Sequence, residues 1–142
     1  MTTGRRTPPT AVAVAALVRQ GRVLMVHRRP DRPWYADCWE LVGGHIEPGE
    51  TAEQAVIREC QEEIVVRIHE PRRVPMAVSD PGIEMHTFLV ERWDGEPVNA
   101  APEEHDQLAW FGVADLSGLV LADAAGLPDL IRLIEGSTPG PT

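Results

Sequence analysis

The chain has 142 residues, 43% of them hydrophobic, and carries a formal net charge of −9 at pH 7. That length suffices for one domain with a single core and leaves no comfortable room for a second domain. The negative charge argues against binding to nucleic-acid polymers, because their phosphates are repelled by a protein that lacks a basic patch. No apolar stretch approaches the length of a transmembrane helix, so we expect no membrane partner either.

The domain is predicted to span residues 10–135, between a flexible lead over 1–9 and a disordered tail over 136–142. The two cysteines, Cys38 and Cys60, are too few for a disulfide framework, and neither belongs to a C-x-x-C pair. This cysteine usage indicates a cytoplasmic protein, with Cys60 as a small core residue. The oligomeric state stays open between a monomer and a homodimer.

The first half of the domain has the pattern of a hairpin, a loop, a short strand and a helix. Apolar runs on both sides of Arg19-Gln20-Gly21-Arg22 predict two strands joined by a tight turn rather than an export signal. Thr51 is predicted to cap the helix, with Gln54 reaching back in a capping box, and the helix should end near Glu63. The predicted strands lie at 11–19, 22–28 and 39–42, with the loop over 29–38.

The second half is predicted to complete a sheet and to close with a helix. Asp94-Gly95 should turn the chain, and apolar residues at helical spacing predict the closing helix over 122–134, with Pro128 in its first turn. Helices on either side of a mixed β-sheet form an α/β/α sandwich, so we expect this α/β fold. The predicted strands lie at 65–69, 73–79, 84–92 and 108–113, and a loop spans 96–103.

Three glutamates project from one side of the first predicted helix. At about 100° per residue, Glu59, Glu62 and Glu63 fall within an arc of roughly 100°. Glu59 and Glu63 also fall inside the stripe with core spacing, whose apolar members are Ala52, Ala55, Val56 and Cys60. Charge is thus placed where apolar residues belong.

This arrangement predicts a bound cation. Like charges at these spacings repel, and unpaired buried carboxylates are costly or take up protons. Oxygen ligands favour magnesium or manganese, whereas zinc would normally bring His or Cys. Gly43-Gly44, in a predicted loop before the helix, supports this interpretation because backbone without Cβ atoms can approach an ion or phosphate closely. The alternative is a surface helix that is simply rich in glutamate.

The spacing around this helix resembles the signature of the Nudix hydrolases. Gly44 is followed after five residues by Glu50, and after seven more by Arg58-Glu59-Cys60-Gln61-Glu62-Glu63. The segment from Trp39 to Gly44 is also similar to the family's approach to its loop. The resemblance implies a Nudix-type α/β/α sandwich and the hydrolysis of a nucleoside diphosphate linked to another group, with magnesium or manganese as the cofactor.

The resemblance also implies roles for individual residues. Glu50 and Arg58 would brace the loop against the helix, and either Glu59 or Glu62 would act as the general base. Gly44 would approach the phosphates. The implied metal ligands are Glu59, Glu62, Glu63 and the Gly43 carbonyl.

Other candidates lie outside the motif. Glu103, in an acidic loop, matches the position of an additional acidic residue that ligates metal or activates water in many family members; a solvated loop is the alternative. Arg29 resembles a phosphate-contacting arginine of mutator-type members, and Arg28 and Arg32 lie close to it in sequence. Trp34 and Tyr35 are candidates for stacking on a base. The five histidines show no metal-ligand spacing.

Two positions depart from the family pattern. Val65 stands where the signature has a glycine, and a β-branched residue is a poor choice for a left-handed conformation. We therefore expect the chain to leave the helix in an extended conformation. Val42 replaces a proline that often precedes the double glycine. Neither change removes a carboxylate.

The compact length and the loop after Gly43 look most like the MutT-like, mutator-type subgroup. This resemblance implies magnesium-dependent hydrolysis of a nucleoside triphosphate, in particular an oxidised or otherwise non-standard purine deoxynucleotide. One alternative is hydrolysis of ADP-ribose, a nucleotide sugar or another dinucleotide. The other is a non-catalytic Nudix-fold ligand-binding module, although the complete set of motif carboxylates favours an enzyme.

Overall fold

Strands and helices alternate along the part of the chain that the computed structural model describes, residues 9–136. The strands are β1 (Thr10–Arg19), β2 (Arg22–Arg28), β3 (Trp39–Glu40), β4 (Val42–His45), β5 (Arg67–His69), β6 (Arg72–Val74), β7 (Ile83–Val90), β8 (Arg92–Asp94) and β9 (His105–Gly112). The helices are α1 (Ala52–Ile64), α2 (Val113–Leu116) and α3 (Leu127–Gly136), with a 3₁₀ turn at Ala124–Gly126. Residues 1–8 and 137–142, which carry most of the predicted lead and tail, lie outside the described part. None of the helices within it combines the length and the apolar character that crossing a membrane requires.

A mixed sheet of seven strands is built around β1. Along one edge β1 runs parallel to β7, from Thr10 opposite Ile83 to Leu17 opposite Val90. Its other edge is shared, because its first half pairs with β4 and its end pairs with β2 at the hairpin. β3 and β9 pair with β2, β6 pairs with β7, and β5 with β8 forms a separate two-stranded sheet. The predicted mixed sheet is confirmed, and β1 and β2 separate beyond their hairpin.

Alternate residues of β1 enter two apolar cores, one on each face of the sheet. On the face covered by α1, the buried residues include Ala13, Ala15, Leu17, Ala55, Val56, Cys60 and Ile64. On the face covered by α2 and α3, they include Ala16, Val18, Leu116, Leu130 and Ile134. With helices on both faces, the α/β/α sandwich is confirmed, as is the burial of Cys60.

Local signals in the sequence locate the hairpin and the start of α1 correctly. Gln20 and Gly21 both have positive φ angles, 53° and 74°, which suit the tight turn between two twisted strands. The Gln54 amide donates to the Thr51 hydroxyl over 3.0 Å, and the Thr51 amide donates to the Gln54 side chain over 2.9 Å. The predicted capping box is therefore present, and α1 ends one residue after Glu63.

The strand predicted over 73–79 is wrong beyond Val74. Pro75 has no N–H to offer a neighbouring strand, and the chain after it is held by acidic side chains from the C-terminal region. The Ala77 amide donates to Asp129 over 2.7 Å, and the Ser79 amide donates to Asp123 over 2.8 Å. Side-chain acceptors thus replace a strand partner at this edge.

Two further boundaries differ from the prediction. The single strand predicted over 84–92 is two strands, because the chain leaves β7 at Glu91 and β8 then pairs with β5. The short helix α2 was not predicted; the Gly112 amide at its start donates to the Asp115 carboxylate over 3.0 Å. The closing helix α3 begins at Leu127 rather than at 122, after the 3₁₀ turn, and it holds Pro128 in its first turn, as predicted.

The prediction that the chain leaves α1 in an extended conformation is wrong. Val65 adopts the left-handed conformation, with φ 57° and ψ 41°, and its amide donates to the Cys60 carbonyl. The physical reason is burial, because Ile64 and Val66 on either side are fully buried and the left-handed turn directs both into the core. Tertiary packing therefore overrides the preference of a β-branched residue at this position.

Replacing Val65 with glycine is expected to raise the free energy of unfolding by about 1 kcal/mol. Relief of the left-handed strain contributes roughly 1–2 kcal/mol, and the larger backbone entropy of unfolded glycine offsets about half of that. Val65 is 48% exposed, so the change removes little packing. The measurement is urea unfolding. Val98→Gly is the matched control, since Val98 is 51% exposed and has no positive φ, and it should be destabilised. A less stable Val65→Gly variant would contradict the strain argument.

Candidate active site

Gly43 and Gly44 lie in β4, although the sequence predicts a loop for them. That prediction is wrong because Gly43 pairs with Val14 and Gly44 pairs with Ala13 of the central strand. A Cβ atom on Gly43 would lie 2.1 Å from the Ala13 carbonyl oxygen and 2.7 Å from the Val14 Cα. Only glycine therefore allows β4 to approach β1 this closely.

Gly44 brings the backbone of β4 into contact with the acidic side of α1. A Cβ atom on Gly44 would lie 2.7 Å from Oε1 and 2.9 Å from Oε2 of Glu59. The Glu59 carboxylate thus fills the space that a side chain on residue 44 would need. The missing side chain is what lets this carboxylate reach the strand.

The three motif carboxylates differ in their exposure. Glu63 is buried with Ala55, Val56 and Cys60, as its place in the core stripe predicts. The side chain of Glu59 is 14% exposed, whereas that of Glu62 is 58% exposed. The helix period accounts for this difference, because Glu62 is rotated about 60° from Glu59 toward solvent and lies outside the core stripe. Two carboxylates are enclosed and the third lies at the rim.

Arg58 connects the loop before α1 to the carboxylates of the helix. Its guanidinium donates to Glu50 twice, from Nε over 2.8 Å and from Nη2 over 2.9 Å. Nη2 also donates to the His45 carbonyl over 3.1 Å, so the pair closes the loop against β4. Nη1 donates to Glu59 over 2.9 Å and to Glu62 over 3.2 Å. This is the geometry that a brace made by Glu50 and Arg58 requires.

Hydrogen bonds from Arg58 and from the Glu47 amide lower the pKa of Glu50 from 4.5 to about 2. As the pH falls, Glu50 is protonated in the unfolded chain before it is protonated in the folded protein. The stabilisation that the Glu50 carboxylate contributes is therefore fully present above pH 4.5 and is lost as the pH falls toward 2. We expect Glu50→Gln to flatten the acid side of the stability curve in this window. Urea unfolding at a series of pH values measures the effect. Glu91→Gln, at an exposed glutamate without an ion pair in residues 9–136, should follow the parent curve; an equal flattening there would contradict the assignment.

Glu63 is the enclosed carboxyl group at the centre of the site. Burial raises its pKa above its usual range, and the neighbouring carboxylate of Glu59 and the charges of Glu104 and Glu40 add to the effect. Within residues 9–136 its Oε2 atom has no hydrogen-bond partner. A buried, unpartnered oxygen beside a second carboxylate fits a hard divalent cation.

The residues therefore suit magnesium or manganese in donor type, but they are not arranged around one point. Among residues 9–136, no three His, Cys, Asp or Glu side chains converge closely enough to hold an ion as they stand. Arg58 is the reason, because its Nη1 group occupies the position between Glu59 and Glu62. The guanidinium bonds one oxygen of each carboxylate, Oε1 of Glu59 and Oε2 of Glu62, and the second oxygen of each is not bonded to Arg58.

A pocket of about 600 Å³ opens beside β4, where β1 and β2 separate. Gly44 belongs to its wall and also contacts Glu59, so a ligand in the pocket can extend to the acidic helix. Much of the remaining wall is apolar and includes Val12, Val14, Met25, Trp39, Met76 and Met85. An apolar pocket beside a polar site suits a ligand with one flat apolar end and one charged end.

Comparison with known proteins decides the family. Residues 7–134 match the model of the NUDIX domain. The chain belongs to the Nudix family. The 8-oxo-dGTP diphosphatase of Escherichia coli (strain K12) is 36% identical over 89 residues, which cover 61% of this chain and 69% of that protein. The resemblance seen in the motif is confirmed, and the protein is a Nudix hydrolase that acts on phosphoric anhydride bonds of nucleotides.

Two further Nudix proteins are also similar to this chain. The NAD-capped RNA hydrolase NudC of Chromobacterium violaceum is 32% identical over 113 residues. Those residues cover 79% of this chain but 42% of the relative, so the chain spans less than half the length of that protein. The crystal structure of a MutT Nudix hydrolase from Burkholderia pseudomallei has a TM-score of 0.70 and 29% identity, over 76% of this chain and 86% of that chain.

Three of the four residues predicted to bind the substrate of this Nudix hydrolase line the pocket: Gly44, Trp34 and Tyr35. Trp34 is 74% exposed at its mouth, and Tyr35 lies beside it. The Tyr35 hydroxyl donates to the Asp80 carboxylate, which belongs to the same wall. The loop between β2 and β3 is thereby tied to the segment before β7.

The arginines near this loop divide between the pocket and the outer surface. Arg28 and Arg32 line the pocket, whereas Arg29 is not part of its wall and pairs with Asp31 over 3.0 Å. Successive residues at the end of a strand point to opposite sides, which explains why Arg28 and Arg29 diverge. A phosphate contact by Arg29 stays a prediction, and Arg28 and Arg32 are the arginines that the fold brings to the pocket.

The acidic turn before β9 presents Glu104 rather than Glu103 toward the site. Glu103 is exposed, whereas Glu104 lines the pocket, lies 3.6 Å from Arg32, and contributes to the raised pKa of Glu63. Glu103, the best positional match in the sequence, is thus one residue away from Glu104, the acid that faces α1. Glu103 as a metal ligand stays a prediction.

Two residues of the site carry no signal that the sequence analysis used. Glu40 pairs with Arg28 over 3.1 Å, and His105 lies buried between Glu40 and Glu63. Both approach the acidic helix from neighbouring strands, so their proximity depends on the pairing of β2 with β3 and β9. The acidic surroundings of His105 in the sequence were the only available hint.

Proposed function

We propose that this Nudix hydrolase cleaves nucleoside triphosphates, with a non-standard purine deoxynucleotide such as 8-oxo-dGTP as its preferred substrate. The observation that carries the proposal is the contact between Gly44 and Glu59, which joins the apolar pocket to the acidic helix. A base held in the pocket then has its phosphates beside α1. The relationship to the 8-oxo-dGTP diphosphatase of Escherichia coli supports the same substrate class.

The cofactor in this proposal is magnesium or manganese. The residues that would hold it are Glu59, Glu62, Glu63, the Gly43 carbonyl, and an acid of the turn before β9, Glu103 or Glu104. When bound, the cation neutralises charge on the phosphate oxygens and makes a coordinated water more acidic. The unpartnered oxygen of Glu63 supports this assignment.

The chain's own side chains supply orientation and proton transfer. Glu59 or Glu62 accepts the proton of the attacking water, since each offers a carboxylate on the acidic side of α1. Arg58 holds these two carboxylates in place through Nη1 and is itself fixed by Glu50. Arg28 and Arg32, with Arg29 outside the pocket, offset the charge of the phosphates in a protein whose net charge is −9. Trp34 and Tyr35 stack on the base.

A substrate panel tests the proposal. Initial rates with magnesium are measured for 8-oxo-dGTP, dGTP and ADP-ribose, and the products are identified by mass spectrometry after reaction in ¹⁸O-labelled water. The highest kcat/KM is expected for 8-oxo-dGTP, with the label in one of the two phosphate-containing products. Negligible turnover of both triphosphates together with rapid cleavage of ADP-ribose would favour the second candidate, a dinucleotide hydrolase. The NAD-capped RNA hydrolase among the relatives supports that alternative.

A non-catalytic binding module is less well supported by the fold. The one feature in its favour was Val65 in place of the signature glycine, and Val65 adopts the left-handed conformation that glycine usually takes there. Saturable nucleotide binding without hydrolysis of any substrate in the panel would nevertheless favour such a module.

A further inference from the structure

His105 lies in the wall behind the acidic helix, between two carboxyl groups. Its Nε2 atom is 3.2 Å from Glu40 Oε2, and its Nδ1 atom is 3.6 Å from Glu63 Oε1. Only 4% of the His105 side chain and 6% of the Glu63 side chain are exposed. The imidazole is therefore enclosed together with the central carboxyl group that it faces.

One atom of this contact, and the second oxygen of the Glu63 carboxylate, lack a hydrogen bond. Among residues 9–136, Nδ1 of His105 and Oε2 of Glu63 have no hydrogen-bond partner. Buried polar atoms are bonded in most proteins, and a separation of 3.6 Å is only slightly longer than a hydrogen bond. A small rotation of the Glu63 carboxylate brings one oxygen onto Nδ1 and turns the other away from it.

The imidazole itself is fixed in position. The amide of His105 donates to the Ala101 carbonyl over 2.9 Å, and its carbonyl accepts from the Asn99 side chain over 2.7 Å. On the far side of the ring, Glu40 is held by Arg28 over 3.1 Å. Because the ring is anchored at its backbone and at Nε2, the movable member of the contact is Glu63.

We propose that His105 is a positioning residue for metal binding. With a proton on each ring nitrogen, Nε2 donates to Glu40 and Nδ1 donates to one oxygen of Glu63, and the other oxygen of Glu63 is thereby presented to the divalent cation. This inference rests on the metal site of the proposed function, and it assigns a role to a residue outside the signature. Residues that orient a metal ligand from behind typically change metal affinity by about 10–100-fold when they are replaced.

Three substitutions separate the two sides of the ring. An asparagine amide reaches about as far as Nδ1, and a glutamine amide reaches about as far as Nε2, whereas leucine reaches neither with a polar atom. We expect His105→Asn to bind manganese within about 3-fold of the parent affinity. His105→Gln and His105→Leu should lose about 10-fold or more.

The measurement is a titration with manganese in the absence of nucleotide. The electron paramagnetic resonance signal of the free ion reports how much manganese is unbound. The melting temperature in a chelator reports the fold of each variant. Steady-state kinetics add a second readout: raising the manganese concentration should restore kcat of His105→Gln, with little change in the nucleotide KM. His69→Leu is the control, because His69 pairs with Asp94 over 2.8 Å in the separate two-stranded sheet and should leave manganese affinity unchanged.

The outcomes distinguish this inference from the proposed function. Absence of saturable manganese binding by the parent protein would overturn the metal site itself. Normal binding by the parent and by His105→Gln, with weak binding by His105→Asn, would show that the ring serves Glu40 and would overturn the role proposed for Nδ1. Equal manganese affinity in His105→Asn and His105→Gln would overturn it as well. That comparison holds whether or not His105→Leu folds.

Discussion

Glu59→Gln is expected to lower kcat/KM about 10³-fold, which corresponds to about 4 kcal/mol of transition-state stabilisation. Glu59 is the enclosed carboxylate that contacts both β4 and Arg58. Glutamine has nearly the same shape, so the fold should persist while the negative charge is lost. Hydrolysis of 8-oxo-dGTP with saturating magnesium, together with the melting temperature, measures both effects. Glu62→Gln should also abolish metal-dependent turnover, because Glu62 is the other candidate base.

Glu53→Gln is the matched control for these variants. Glu53 lies in the first turn of the same helix and is exposed on a different face, away from the pocket wall. Its replacement should leave kcat/KM within about 2-fold, since a surface change of this kind is nearly neutral. Unchanged activity in both Glu59→Gln and Glu62→Gln would mean that the acidic helix is not the site.

The adjacent glycines are expected to respond in opposite ways to the same substitution. In Gly44→Ala, the new Cβ meets the Glu59 carboxylate, which is the movable end of a side chain and can shift. Activity should fall about 10²-fold because a catalytic group is displaced by roughly 1 Å. The free energy of unfolding should change by less than about 1 kcal/mol.

In Gly43→Ala, the new Cβ meets backbone atoms of Ala13 and Val14, which cannot move without separating β4 from β1. We expect this variant to lose about 3 kcal/mol of stability or to fail to fold. Urea unfolding and the hydrolysis assay are measured on both variants. Gly136→Ala is the control, because no other atom of residues 9–136 lies within 4 Å of the added Cβ, and both properties should be retained. A stable, fully active Gly43→Ala variant would contradict the packing described for β4.

The features that could be predicted from the sequence are those that depend on neighbours along the chain. The capping box at Thr51 needs only a side chain three residues away, and the hairpin at Gln20-Gly21 needs only two residues that tolerate positive φ. The enclosure of Glu63 follows from the period of one helix. The acidic signature is local for the same reason, which explains why the family was recognisable before the fold was known.

The features that were missed depend on what packs against a segment. Val65 takes a left-handed conformation because Ile64 and Val66 must both be buried. Residues 75–79 are not a strand because acids from the C-terminal region bind their amides. The turn before β9 also places Glu104 in the pocket wall, next to the predicted Glu103, and spacing alone cannot resolve a difference of one residue.

The sequence by itself determined that this chain is an α/β Nudix hydrolase with an acidic helix after a double glycine, because spacing along the helix and the loop carries that information. Only the tertiary structure decided that Gly44 accommodates the Glu59 carboxylate, that Arg28 and Arg32 reach the pocket, and that His105 lies behind Glu63. These contacts join strands that are distant in sequence. Their geometry is set by the pairing and twist of the whole sheet.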